Sequence, residues 1–252
     1  MRKGKLGGAI KEFSKAIRLD PEVSRIYISR GKAYFEQEQY EIAARDFGEA
    51  IRLDPGNPLI YGMRGDAYLR LKKYREAIDD FGEAIRLDPD VSLTFLNRGK
   101  AYIGLEKYDE AISDFDEAIR LDPDASEAHD RRGEAHMTQG NYETALLDFA
   151  WAVGLSSGVS LTCLNRGKAH MTQEQYDEAV DDFTEAIKFS PTDPVTYANR
   201  GWAYSRQGKT ELAIRDLETA LSLNPDDGDR IRQELQDLRN RCDGVNVGNG
   251  TR

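Results

Sequence analysis

The residues best suited to metal or nucleophile chemistry fall in one stretch. His129 and His136 are seven residues apart, Cys163 and His170 are seven apart, and the second pair follows the first by 34 residues. Imidazole nitrogens and a thiolate would suit zinc. On a helix, however, seven residues separate each pair by ~10.5 Å of rise, and packed helices lie about 8–10 Å apart. An ion with bonds of about 2.0–2.3 Å cannot reach all four donors. They are read as packing groups that replace Tyr and Phe. No metal, cofactor or catalytic residue is expected, and the chain is read as no enzyme. The cysteines, Cys163 and Cys242, make neither a disulfide framework nor a CxxC spacing.

A second constellation is ionic. Arg30, Arg64, Arg98, Arg132, Arg166 and Arg200 recur every 34 residues, and Asp46, Asp80, Asp114, Asp148, Asp182 and Asp216 follow each by 16. An arginine ladder could bind phosphates or carboxylates. Alternatively each arginine pairs with an aspartate on the neighbouring helix. Opposite charges repeated in lockstep favour pairing, and breaking a partly desolvated pair costs roughly 3–5 kcal/mol.

The elements that must hold these residues are set by the same period. Six copies span 24–57, 58–91, 92–125, 126–159, 160–193 and 194–227. Numbering each copy from 1 to 34, position 8 is always glycine, and positions 20 and 27 are always alanine. Positions 4, 8 and 11 lie on one face of a first helix, and positions 20, 24, 27 and 28 on one face of a second. Small residues let the two helices approach, and the large group at position 24 (Phe47, Phe81, Phe115, Phe149, Phe183, Leu217) fills the space between them. Proline at position 32 ends the second helix in five copies. Such a pair cannot bury its own apolar face, so the copies must stack.

This pattern resembles the tetratricopeptide repeat (TPR) family. In the copy beginning at Ser92 the matching residues are Phe95, Gly99, Tyr102, Ala111, Phe115, Ala118 and Pro123. The fourth and fifth copies depart at His129, His136, Cys163 and His170. The resemblance implies an all-α, right-handed superhelical solenoid of helix-turn-helix repeats. Its first helices would line a concave groove and its second helices would form the outer face.

Positions that vary are free to encode a partner. On the first helix these are positions 2, 5, 6, 9 and 13, spaced for one face. Position 9 reads Lys32, Asp66, Lys100, Glu134, Lys168 and Trp202. This is either a mixed-charge surface for an extended peptide or a set of charges relaxing one another in solvent. Position 6 supplies Asn97, Arg131, Asn165 and Asn199, and its amides could grip a peptide backbone. They are similar to the asparagine ladder of the TPR groove in O-GlcNAc transferase. The carboxylate clamp of co-chaperone TPR domains is absent, because position 5 has no lysine (it includes Leu96 and Asp130) and position 9 has no asparagine. Leu93 and Gly104 complete the variable set in the third copy. The fourth copy puts Glu127, Asp130 and Glu134 on the groove stripe, which reads as an acidic spot or as drift. Its Ser156-Ser157-Gly158 turn and its Trp151, where other copies mostly have glutamate, are further departures.

Residues 1–23 read as a half-repeat containing only a second helix. The face of Ala9, Phe13 and Ala16 then expects either sequence upstream or a partner molecule, including a second copy in a homodimer. Residues 228–242 read as a capping helix with Ile231, Leu235 and Leu238 on one face. Residues 243–252, rich in Gly and Asn, read as a disordered tail.

The 252 residues carry a net charge of −10, which argues against nucleic acid. No apolar run reaches the roughly 20 residues of a membrane helix. The start, Met1 to Lys5, is charged with no apolar stretch after it, so it does not read as a signal peptide, and a cytoplasmic location is expected. The reading is a non-catalytic module that binds an extended or helical segment of another protein. Its alternatives are a self-assembling scaffold or the TPR arm of a larger enzyme.

Overall fold

The computed structural model describes residues 2–155, 160–224 and 228–248. Among these the chain is all-α, with fourteen helices and no strand. A leading helix α1 (Arg2–Leu19) precedes the repeats. The first helices of the six copies are α2 (Ser24–Glu36), α4 (Pro58–Arg70), α6 (Ser92–Gly104), α8 (Ser126–Thr138), α10 (Ser160–Thr172) and α12 (Pro194–Arg206). The second helices are α3 (Tyr40–Leu53), α5 (Tyr74–Leu87), α7 (Tyr108–Leu121), α9 (Tyr142–Leu155), α11 (Tyr176–Phe189) and α13 (Thr210–Leu223). The last helix is α14 (Asp229–Gly248).

Local chemistry explains these boundaries. At the start of α4, Asn57 accepts from Leu59 N–H, and at the start of α12, Asp193 accepts from Val195 and Thr196 N–H, each with proline as the first helical residue. In other copies a serine opens the helix and ties its hydroxyl to the second helix of the same copy: Ser92 Oγ donates to Ala118 O at 2.9 Å. Each first helix ends in the same left-handed turn. In the third copy, Lys107 N–H donates to Tyr102 O and Glu106 N–H to Ile103 O. The residue between cap and next helix has positive φ in all six copies: Glu38, Lys72, Glu106, Gly140, Glu174 and Gly208. Only two of these are glycine, so four copies hold a long side chain in a backbone region that favours glycine.

The core follows from the small and large residues. Phe47, Phe81, Phe115, Phe149, Phe183 and Leu217 are all essentially fully buried. A Cβ at Gly99 would stand 2.5 Å from the Phe115 ring, and one at Gly65 2.8 Å from Phe81. Glycine at position 8 is therefore a requirement of close approach. Gly104 is likewise a packing residue, since a Cβ there would enter the Tyr74 ring.

The repeated charges are paired. Arg30 binds Asp46, Arg64 binds Asp80, Arg98 binds Asp114, Arg166 binds Asp182 and Arg200 binds Asp216, each through Nε and Nη2. The aspartates are buried, with Asp114 only 4% exposed. Arg132 of the fourth copy also reaches back to Asp116 on α7 at 2.5 Å. The arginines are thus pins between the helices of a pair, and the alternative of a ligand-binding ladder is set aside for these five copies.

The chain forms two compact units, Met1–Ala135 and His136–Arg252, divided within α8. In the first unit α1 packs on α2, α3 on α4 and α5 on α6, and the first helices α4 and α6 also touch directly. In the second unit α9 packs on α10, α11 on α12 and α13 on α14, with α10 touching α12. Ile231, Leu235 and Leu238 of α14 are buried with Ala213, Leu217 and Ala220, as a capping helix requires. That helix continues to Gly248, into the stretch expected to be disordered. Composition alone placed the expected boundary at 242, and glycine content does not mark the end of a helix already anchored by packing. Residues 249–252 lie outside the described residues, as do the Ser156-Ser157-Gly158 turn and Pro225.

Candidate interaction surface

Two pockets lie side by side on the first-helix face of the Met1–Ala135 unit. One, of about 170 Å³, lies between α4 and α6. Phe81 and Ala84 of α5 form its floor, Leu59, Met63 and Leu93 its apolar wall, and Asp66 and Asn97 its polar wall. The other, of about 390 Å³, lies between α2 and α4 and is lined by Lys32, Phe35, Glu36, Phe47, Met63 and Asp66. Met63 and Asp66 belong to both. Leu59 is 64% exposed and Leu93 59% exposed. Both line the first pocket, and a contiguous apolar patch is informative where a lone exposed leucine is not.

Asp66 is the polar centre of this face. Asn97 Nδ2 donates to Asp66 Oδ1 at 2.9 Å, and Lys100 Nζ donates to Asn97 Oδ1 at 3.3 Å. Burial pushes the Asp66 carboxyl up to about 6, against the opposing pull of Lys100, Arg70 and the Asn97 hydrogen bond. Asn97 is therefore committed to Asp66, and its amide is one part of a small polar network.

Other expected groove residues fall differently. Leu96, Asp130 and Asn165 are buried, at 5%, 7% and 5% exposure. Leu96 packs with Phe95, Ala111, Phe115 and Ala128. Position 5 faces the neighbouring helix, where α4 meets α6, so Leu96 and Asp130 do not line an open groove. Asn165 is withdrawn in the same way, which leaves no surface ladder of three amides. Asn199 is at the surface, with its Nδ2 donating to Val195 O at 2.8 Å.

Two of the three carboxylates of the expected acidic spot are ion-paired, and the third, Asp130, is buried. Glu127 pairs with Lys100 at 2.7 Å, and Glu134 pairs with Arg131 at 2.8 Å. Lys168 and Trp202 lie half-buried on α10 and α12. Of the residues expected to line a face for self-association, Ala9, Phe13 and Ala16 are half-buried.

The histidines and the cysteine take packing or local polar roles. His129 is buried, with Nε2 3.2 Å from Pro123 O. Cys163 is 1% exposed, and burial pushes its thiol up, away from a reactive thiolate. His170 Nδ1 lies 2.7 Å from Gln175 Oε1, and its Nε2 lies 3.6 Å from Asp182. Among the described residues no group of three or more His, Cys, Asp or Glu is placed to hold a metal ion, and no helix is long and apolar enough to cross a membrane. The side chain of Cys242 lies outside the described residues.

Within the variable stripe, position 2 carries the most exposed apolar groups. Leu59, Leu93, Leu161 and Val195 are all exposed apolar groups on first helices. Their signal was in the sequence: an aliphatic residue recurs within a stripe that is otherwise polar. The outer face departs in two copies: α13 holds Thr219 and Ser222 where the others pair charges, and α9 becomes apolar. Glu49–Arg52, Glu83–Arg86, Glu117–Arg120 and Glu185–Lys188 form exposed ion pairs on second helices. On α9 the same two places hold Trp151 and Gly154, beside Leu147, with Trp151 62% and Leu147 66% exposed.

Comparison with known proteins agrees with the geometry. One tetratricopeptide repeat model matches residues 28–92 and 96–158, a second matches 194–227, and a TPR repeat model matches 1–38 and 167–208. No curated protein sequence matches the chain. Among solved structures, PilW, a type IV pilus biogenesis factor, superposes with a TM-score of 0.73 at 20% identity over 84% of this chain and 98% of its own. A chain of the APC/C hetero-tetramer Cut9–Hcn1 superposes with a TM-score of 0.72 at 20% identity over 94% of this chain. This chain spans only 46% of that one. YrrB, a TPR protein with an unusual peptide-binding site, gives 0.61 at 24% identity over 73% of this chain and 95% of its own. With family models matching along most of its length and the helix pairs, glycines and buried phenylalanines in register, the chain belongs to the tetratricopeptide repeat family.

Proposed function

We propose that this chain is a non-catalytic protein-interaction module whose first-helix face takes up an extended segment of a partner protein. The observation that carries the reading is the pair of adjacent pockets on α2, α4 and α6 that share Met63 and Asp66. Apolar floors can receive side chains, while Asp66 between them can accept a backbone or side-chain N–H. Burying an exposed leucine such as Leu59 or Leu93 contributes roughly 1.5–3 kcal/mol, so few contacts suffice for a transient complex. Lys32, Asp66 and Lys100 provide alternating signs along the face. The likeness to YrrB, whose peptide-binding site is named with it, is consistent with this reading.

A displayed library of random peptides, selected on the purified protein and mapped by NMR chemical-shift perturbation, tests it. Shifts are expected at Lys32, Leu59, Asp66, Leu93 and Asn97, and Leu93→Asp should abolish them while leaving the melting temperature near wild type. Shifts confined to second-helix residues such as Glu83 and Arg86 would refute the reading.

Self-association is a second reading. Phe13 is half-buried on α1, whereas its counterparts Phe47 and Phe81 are 1% exposed. A concentration-dependent dimer in sedimentation that disappears in Phe13→Asp would support it.

A further inference from the structure

A further pocket stands where the last repeat meets α14, in the His136–Arg252 unit. It has a volume of about 220 Å³ and is lined by Val195, Ala198, Asn199 and Trp202 of α12 and by Arg230 and Ile231 of α14, among others. The Arg230 guanidinium lies over the Trp202 ring, 4.5 Å from its centroid. Elsewhere the same stacking has a second component. Arg98 lies over Phe95 and Tyr102 while its edge binds Asp114, and Arg200 lies over Tyr197 and Tyr204 while its edge binds Asp216. Arg230 is exposed, and no carboxylate pairs with it among the described residues.

A guanidinium lying over an aromatic face still has its N–H donors to offer a carboxylate, as Arg98 and Arg200 show. Below it the pocket is apolar. Ala198 is 4% exposed, Ile231 9%, and Val195 stands 49% exposed at the rim. Asn199 gives its N–H to Val195 O, which leaves its Oδ1 to accept from a ligand N–H. Cation, apolar pocket and backbone acceptor are thus contributed by two helices that meet only at this end of the chain.

Resting on the reading that first-helix faces take up extended segments, we infer that this pocket binds a segment of a partner protein in which an aspartate or glutamate adjoins an aliphatic residue. The carboxylate meets Arg230, the aliphatic side chain enters between Val195, Ala198 and Ile231, and the intervening N–H donates to Asn199 Oδ1. The charge is complementary to the arginine and not to the chain as a whole, whose net charge is −10. The site therefore selects by local geometry and not by long-range attraction.

The chain has two tryptophans, so Trp151→Phe leaves Trp202 as the sole indole reporter. In that background the probes are acetyl-Ala-Leu-Asp-Ala-amide, its Leu-Asn counterpart and its Gly-Asp counterpart. A saturable change in Trp202 emission is expected with the first. Binding should be about tenfold weaker or worse with either counterpart, and also for Arg230→Gln. Val195→Asp, at an exposed position, should suppress the Leu-Asp peptide far more than the Leu-Asn peptide. Equal affinity for the Leu-Asp and Leu-Asn peptides would overturn the inference. So would indifference to Arg230→Gln, or no saturable change with the Leu-Asp peptide. None of these results would alter library peptides mapping to α2, α4 and α6, so failure here is distinct from failure of the broader reading.

Discussion

Asp114 and Asp66 are both carboxylates drawn away from water, but their surroundings differ. Asp114 faces inward from α7 and meets Arg98 through two hydrogen bonds of 2.7 and 2.8 Å. Asp66 faces the α4–α6 pocket and receives one hydrogen bond, from Asn97. Asp114 is thus matched by an opposite charge within its own helix pair. The first-helix face keeps a carboxylate that is only partly compensated, at the cost of a carboxyl titrating near 6. On the proposed reading, internal saturation marks scaffold and incomplete compensation marks the surface offered to a partner.

The sharpest way to break this contrast is Arg98→Ala. It leaves Asp114 buried without its partner and should destabilise the protein by about 3–5 kcal/mol in urea denaturation. Asn97→Ala should cost much less, and equal losses would erase the distinction. Gly99→Ala comes next, since its Cβ would overlap the Phe115 ring. A loss of about 1–3 kcal/mol is expected.

Asp66→Asn tests the other half of the comparison, and its sign is opposite. A carboxyl raised in the folded state stabilises the fold at low pH, and that contribution is lost as pH rises from 3.8 through about 6. The asparagine variant does not titrate. It should melt above wild type at pH 7.5, and the gain should shrink steadily as pH falls through that window. Thermal melts at several pH values would show this, and a pH-independent difference would contradict it. The smallest effect belongs to Arg120→Ala on the outer face of α7. Its pair with Glu117 is 2.6 Å long but exposed, and its loss should change stability by under about 1 kcal/mol.

Much of the scaffold was legible in the sequence. Glycine at position 8, phenylalanine at position 24 and the Arg–Asp lockstep each state one physical requirement, and repetition separates requirement from chance. The surface was less legible. Position 5 carries Leu96, Asp130 and Leu164, and spacing assigned it to the open stripe. In fact first helices touch one another, so one edge of that stripe is covered. A helical wheel describes one helix and cannot show how wide a neighbour's footprint is. For the same reason Asn165 reads from spacing as a surface amide although it is buried. The positive φ at Glu38, Lys72, Glu106 and Glu174 was hidden differently, because residues other than glycine occupy a conformation that glycine usually advertises.

The inward ion pairs also bear on how the chain reaches its fold. Each joins residues 16 apart, as Arg98 to Asp114 does. Closing so short a loop is fast and costs little chain entropy. The most demanding electrostatic contact of each repeat is therefore made without waiting for distant parts of the chain. Folding can begin at any helix pair and spread to its neighbours. During synthesis, a pair can close as soon as both of its helices have left the ribosome.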